Sequence, residues 1–163
     1  MINTATFGFS LKQKSIIMSY VTAWLHCVWS TKNRQPVLIN DIRPELFQHI
    51  FDNGRKKGIW VDTVNGYKEH VHALISLDKN MTIADTLQLM KGESANWLNK
   101  SPHLKEKVKW QDDYFAVSVG QSQLERVRNY IRNQEEHHRR KSFEQEVNEF
   151  MEKYGWTKFK DAV

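Results

Sequence analysis

His70 and His72 stand one residue apart in YKEHVHALISL, residues 67–77. Residues two apart in a strand share a face, so two imidazoles at this spacing can reach one metal ion. Val71, Ala73, Ile75 and Leu77 form an apolar face, expected to lie under helices, and His70, His72, Leu74 and Ser76 form the other. A blander alternative is a pair of satisfied polar residues on a half-exposed sheet, and pattern alone does not separate the two. The stretch ERVRNYIRNQEEHHRRK, residues 125–141, reads as helix, with Leu124, Val127 and Ile131 marking its buried stripe. Tyr130 and Gln134 are four apart, hence neighbours beside that stripe, facing the sheet's margin without being buried in it. A hydroxyl, an amide and two imidazoles can thus meet between sheet and helix. The ordinary fate of such residues is a boundary tyrosine and a solvated glutamine. His137 and His138 follow one turn on, where EEHHRR reads as a solvated helix end and not as a zinc site.

These side chains need a scaffold, and the periodicity supplies one. Residues 20–30, YVTAWLHCVWS, are aromatic and β-branched and read as a first strand, followed by the polar basic loop TKNRQP. Ile42, Leu46 and Ile50, with Phe47 and Phe51 beside them, recur at helical spacing until Gly58, a C-cap candidate. Residues 59–64, IWVDTV, make a second strand, and Asn65 and Gly66 turn the chain into the histidine strand. Thr82 caps a helix to about residue 99, with Ile83, Leu87 and Met90 on one stripe. A fourth strand, YFAVSV, spans 114–119, and a long charged helix occupies 122–141. The order β-α-β-β-α-β predicts an α+β, ferredoxin-like fold: an antiparallel sheet with two helices on one face, then the long tyrosine-bearing helix. Ser142 with Gln145 forms a capping-box pattern for a last helix within 143–163, whose Phe143, Val147, Phe150 and Tyr154 form an apolar edge. That edge fits either the domain itself or a partner subunit.

The remaining features narrow the class. A chain of 163 residues with 40% hydrophobic and 26% charged side chains suits one compact folded domain, here 18–142, and not a disordered tail. No stretch is apolar over the roughly 20 residues that a membrane-spanning helix requires. Residues 1–17 lack an apolar signal-peptide core and are expected to be a loosely ordered extension from an upstream start, with Met18 as the natural first residue. The single cysteine, Cys27, sits in a strand-like run, reads as a buried structural thiol, and fits a reducing cytoplasm. A net charge of +5 mildly favours a polyanionic partner. Candidate phosphate contacts are Lys32 and Arg34 in the first loop, Arg55, Lys56 and Lys57 at the first helix end, Lys91, and Arg139 with Arg140. Lys91 is the first choice among them. Trp24, Trp29, Trp60 and Trp97 are assigned to the core, any exposed one being able to stack on an unpaired base.

EHVHALI, DDYFAVSVGQSQLERVRN and YIRNQEEHH, together with VWSTKNR and MKGESANWL, resemble the single-tyrosine HUH transposases of the IS200-like family. The resemblance runs from about residue 19 to residue 141. It implies a ferredoxin-like domain that cuts and rejoins single-stranded DNA at hairpin-marked ends of a mobile element, in a bacterial or archaeal cytoplasm. By position, Tyr130 matches the nucleophile, His70 and His72 two metal ligands, and Gln134 the third. The family implies magnesium or manganese, whereas imidazole donors by themselves also suit zinc, cobalt or nickel. It further implies a homodimer in which the tyrosine helix of one subunit completes the histidine site of the other. Some relatives are domesticated, palindrome-associated nickases. The competing readings are a replication or plasmid-relaxing nickase, which normally comes in a longer chain, and a non-catalytic hairpin-binding module. The latter expects paired aromatic residues where His70 and His72 stand.

Overall fold

A computed structural model describes residues 20–104 and 106–156, so residues 1–19, including the expected extension and Met18, lie outside it. Four strands, β1 (Trp24–Ser30), β2 (Trp60–Gly66), β3 (His70–Ser76) and β4 (Phe115–Val119), form one antiparallel sheet in the order β2-β3-β1-β4. Helices α1 (Arg43–Lys56) and α2 (Ile83–Leu98) connect β1 to β2 and β3 to β4. This is the ferredoxin-like arrangement that the element order predicts.

The strand alternation sorts the sheet into two faces. Leu25, Cys27 and Trp29 of β1 join Val71, Ala73 and Ile75 of β3 in the main core, packed against Leu46 and Ile50 of α1 and Leu87 and Met90 of α2. Cys27 is a free, buried thiol, pushed up to about 12 by that burial. Local signals set the helix ends. Thr82 accepts from the Asp85 amide at 3.0 Å, a cap worth about 1 kcal/mol, and Gly58 takes φ +82° just past α1.

The second face is not half-exposed. Three further helices cover it: α3 (Leu124–Arg132), α4 (Gln134–His138) and α5 (Phe143–Lys153). Leu124 and Ile131 of α3 pack on Leu74 and Val119, while Phe143 and Val147 of α5 pack on Val28. The apolar edge of the last helix therefore closes on its own domain, and its capping box, Ser142 with Gln145, is formed. The helix expected over 122–141 is instead broken at Asn133 (φ −96°, ψ 20°). There the Asn133 amide donates to the Asn129 carbonyl, and Asn65 of β2 donates to the freed Arg132 carbonyl at 2.9 Å. Asn65 is thus a strand residue and not part of the turn. Trp60 departs from its core assignment: it is 56% exposed on edge strand β2, beneath the Arg55 guanidinium.

Candidate active site

The alternation of β1 and β3 places His26, His70 and His72 on the helix-covered second face. His26 pairs with Leu74, Val28 with His72, and Ser30 with His70, so facing residues share a side. His70, His72 and Gln134 are fully buried. Gln134 is thus not the marginal side chain that helical spacing suggests. The break at Asn133 turns it inward, with its amide nitrogen donating to the Tyr130 carbonyl at 3.4 Å and its oxygen toward the rings. His70 Nε2 lies 3.3 Å from that oxygen and His138 Nε2 lies 3.1 Å from it. His138 is accordingly no solvated helix end, since its side chain is buried and stacks on Tyr67.

Glu146, on α5, is the residue that sequence reasoning missed. Its carboxylate is buried among the rings, with Oε1 3.5 Å from His72 Nε2 and Oε2 3.2 Å from His138 Nε2. The Tyr130 hydroxyl donates to Oε1. The same carboxylate therefore touches the candidate nucleophile and the candidate ligands within a single protomer. Tyr130 also meets the rings of His26, His72 and His137 edge-on. Beside it a cleft of about 280 Å³ opens between α3 and α5, lined by His26, Tyr130, His137, Glu146, Arg126 and Lys153.

Burial dominates the electrostatics. It holds the His26 and His72 rings well below the usual histidine range and takes His138 down to about 4, with the neighbouring rings adding to it. It raises the Glu146 carboxyl to about 7, against the opposing influence of neighbouring His70. Between about pH 4 and 6.5 the unfolded chain binds more protons at these histidines than the fold does, so they add stability as pH rises through that window. Glu146 has the opposite sign between 4.5 and about 7, because the fold binds its proton more tightly. Three rings outweigh one carboxyl. Metal-free protein is expected to be less stable at pH 5 than at pH 7, read from denaturant midpoints. Greater stability at pH 5 would refute this.

Do the residues suit a divalent cation? Within the described residues, His72 Nε2 and Glu146 Oε2 are buried polar atoms with no hydrogen-bond partner. The metal-binding atoms of His70, His72, His138 and Glu146 lie within 4.8 Å of one another. Imidazoles, an amide oxygen and a carboxylate facing one point are a donor set that a cation fits.

The basic candidates are not gathered around this cluster. Arg55, Lys56 and Lys57 end α1, on the opposite side of the sheet, where Arg55 donates to the Val61 carbonyl at 3.0 Å and Lys57 pairs with Glu93. Lys91 donates to the Asp112 carbonyl at 2.7 Å and so holds the loop before β4. Lys32 pairs with Asp112, and Arg139 and Arg140 both pair with Glu136. Arg34 lies over the Phe143 ring, near the histidine end of the sheet. Arg126 and Lys153, absent from the sequence-based set, are the cations beside Tyr130.

The family described as "Transposase IS200 like" matches residues 19–134, most of the chain and all of the sheet. The chain belongs to this family. As an IS200-like transposase it is 29% identical over 114 residues to the ISDra2 transposase TnpA of Deinococcus radiodurans, a match covering 67% of this chain and 81% of that relative. A crystal structure of a Deinococcus radiodurans R1 protein assigned as a transposase superposes with a TM-score of 0.54 at 25% identity, covering 72% of this chain and 95% of the other. A tyrosine transposase associated with REP sequences, bound to a REP hairpin, shares the fold at a TM-score of 0.50 and 14% identity, covering 86% of this transposase and 74% of the other chain. No helix among the described residues is long and apolar enough to cross a membrane.

Proposed function

We propose that this transposase is a strand transferase that cuts and rejoins single-stranded DNA beside hairpins, through a 5′-phosphotyrosine bond at Tyr130. The observation that carries the reading is the meeting of the Tyr130 phenol with the His70 and His72 rings around one carboxylate. In the step, the Tyr130 oxygen bonds to phosphorus, the bond to the 3′-oxygen breaks, and the phenolic proton ends, in net terms, on that 3′-oxygen. The linkage conserves the energy of the phosphodiester, so a second 3′-hydroxyl reverses the step without ATP. Phenolate is a good leaving group for that return. A divalent cation, magnesium or manganese, held by His70, His72 and Gln134 would draw charge from the scissile phosphate as a Lewis acid. Arg126 and Lys153 line the cleft by which a strand reaches the phenol. Among fold neighbours, the REP-associated transposase is bound to a hairpin, which makes a hairpin the substrate of choice for a test.

The test uses end-labelled hairpin DNA with a single-stranded flank, manganese and denaturing electrophoresis. The expected product is a covalent adduct carrying the DNA 5′ end on the peptide that contains Tyr130, with a free 3′-hydroxyl fragment. Equal cleavage of a fully duplex control refutes the single-strand specificity. Hairpin binding with no adduct identifies a non-catalytic module instead. Because Tyr130 and the histidines meet within one protomer, mixed Tyr130→Phe and His70→Ala proteins are expected to stay inactive. Restored cleavage would mean that the tyrosine helices exchange between the subunits of a homodimer.

A further inference from the structure

We propose that α5 and the turn after it give the Tyr130 cleft a base-stacking wall, Phe150 and Tyr154 backed by Phe115 and Trp156, which holds one unpaired base of the DNA strand beside the phenol. The inference rests on the strand-transfer reading only for the identity of the polymer, and it concerns binding, not the bond-breaking step. All of these rings except Phe115 lie beyond residues 19–134, the part of the chain that the family matches.

Local sequence builds the wall. Phe150 and Tyr154 are four apart at the end of α5, so their rings share one helix face, 6.1 Å between centroids and 12° from parallel. Gly155 then takes φ +63°, the left-handed conformation that a side chain resists. Its amide donates to the Glu152 carbonyl at 3.1 Å and the Trp156 amide to the Met151 carbonyl at 2.8 Å, the paired bonds of a Schellman helix end. That turn brings the Trp156 ring back onto Phe115 of β4, 5.5 Å between centroids and 11° from parallel, and to 5.2 Å from Tyr154. Phe115 in turn lies 6.4 Å from Phe150. Each ring therefore touches two of the others, and none is held by one contact alone. Phe115, Phe150 and Trp156 are partly buried, whereas Tyr154 is exposed.

Phe150 and Tyr154 line the same cleft as Tyr130. Buried His26 meets Phe150 edge-on there, and its Nε2 is tied to His72 Nδ1 at 2.9 Å, so that ring is fixed as well. Volume decides what can enter. About 280 Å³ stands at the lower end of small-ligand pockets, room for one flat heterocycle and none for a duplex. Only an unpaired base offers a free π-face, because in a duplex its faces are already stacked. Charge points the same way. Arg126 and Lys153 line the cleft, and neither is held in an ion pair among the described residues. The carboxylates of the cleft are engaged, Glu149 by the Lys141 ammonium at 2.6 Å and Glu146 by the Tyr130 hydroxyl. Two free cations beside stacked rings suit a phosphate backbone whose base turns inward. Every base has a π-face, so the wall selects single-stranded DNA without selecting a sequence.

The test uses the full-length protein with a chelator present, so that no strand is cut. Fluorescence anisotropy follows binding of a short labelled oligothymidylate, of an abasic strand of the same length, and of the thymidylate paired in a duplex. The wild type is expected to bind the single-stranded thymidylate most tightly. Tyr154→Ala is expected to weaken that binding at least about fivefold while leaving the abasic strand unchanged, and Tyr154→Trp to keep the wild-type affinity. Circular dichroism confirms that each variant is folded. An equal loss on both single strands, no loss on either, or a wild type that binds no thymidylate overturns the proposal. So does a duplex bound as tightly as the single strand, or Tyr154→Trp behaving like Tyr154→Ala. A Tyr130 adduct together with binding indifferent to Tyr154 defeats only the wall. Tyr154-dependent binding with no adduct defeats only the strand transfer.

Discussion

Replacing Tyr130 with phenylalanine is expected to lower covalent adduct formation by at least about 10³-fold while hairpin binding stays near the wild-type level. The ring itself is retained, and with it the edge contacts to His26, His72 and His137. Only the hydroxyl goes. That oxygen is the attacking atom of the proposed step, and nothing else at this point on α3 can replace it. The substitution also removes the proton that Glu146 Oε1 accepts, leaving a buried carboxylate oxygen without its partner. A cost of about 1–3 kcal/mol in folding stability is expected from that loss, so denaturant midpoints are to be compared alongside cleavage. Adduct yield equal to the wild type in Tyr130→Phe would remove Tyr130 from the mechanism whatever the stability result.

Gly66→Ala is expected to destabilise the fold by on the order of 3–5 kcal/mol and to impair metal binding with it. Gly66 ends β2 where the chain folds back toward His70 and pairs with Val71. A Cβ at this position would stand 2.1 Å from the His70 carbonyl oxygen and 2.9 Å from the Val71 Cα. Both are backbone atoms, so no side chain can swing aside and the two strands must separate. The displaced carbonyl belongs to His70 itself and accepts from the Tyr67 amide at 3.0 Å, so the ring moves with it. Gly92 is the internal control: it lies inside α2, where a Cβ meets nothing within 4 Å. Gly92→Ala is expected to gain about 0.5–1 kcal/mol from helix propensity. Chemical denaturation of the pair checks both signs, and equal stability of Gly66→Ala and wild type would contradict the close approach described here.

The sheet was legible because strand alternation is a local signal. Val71, Ala73 and Ile75 face the main core, opposite to His70 and His72, as their parity predicts. Thr82 and Ser142 are read with equal ease, since a cap depends on a few neighbouring residues. The break at Asn133 was not, because a run of charged and polar residues has no period to interrupt. It depends on Asn65, distant in sequence, receiving the Arg132 carbonyl. His138 was misread for a related reason. In EEHHRR nothing local distinguishes a ring that α5 and Tyr67 will cover from one left in water. Glu146 carried a usable sign. It falls between Phe143, Val147 and Phe150 on the apolar stripe of α5, where a lone carboxylate calls for a buried partner. The partner of His26 is a cross-strand matter that only sheet register reveals.

The outer margin of the sheet has a consequence for handling the protein at high concentration. Register slips between Val61 and Thr63, so Asp62 bulges out of β2, and Arg128 of α3 grips both its carboxylate oxygens at 2.8 Å. That guanidinium holds the Asp62 carboxyl below its ordinary range and thereby keeps it ionised. An irregular rim fixed by a forked ion pair offers a poor template for strands of other molecules, so growth of intermolecular β-structure from this side is disfavoured.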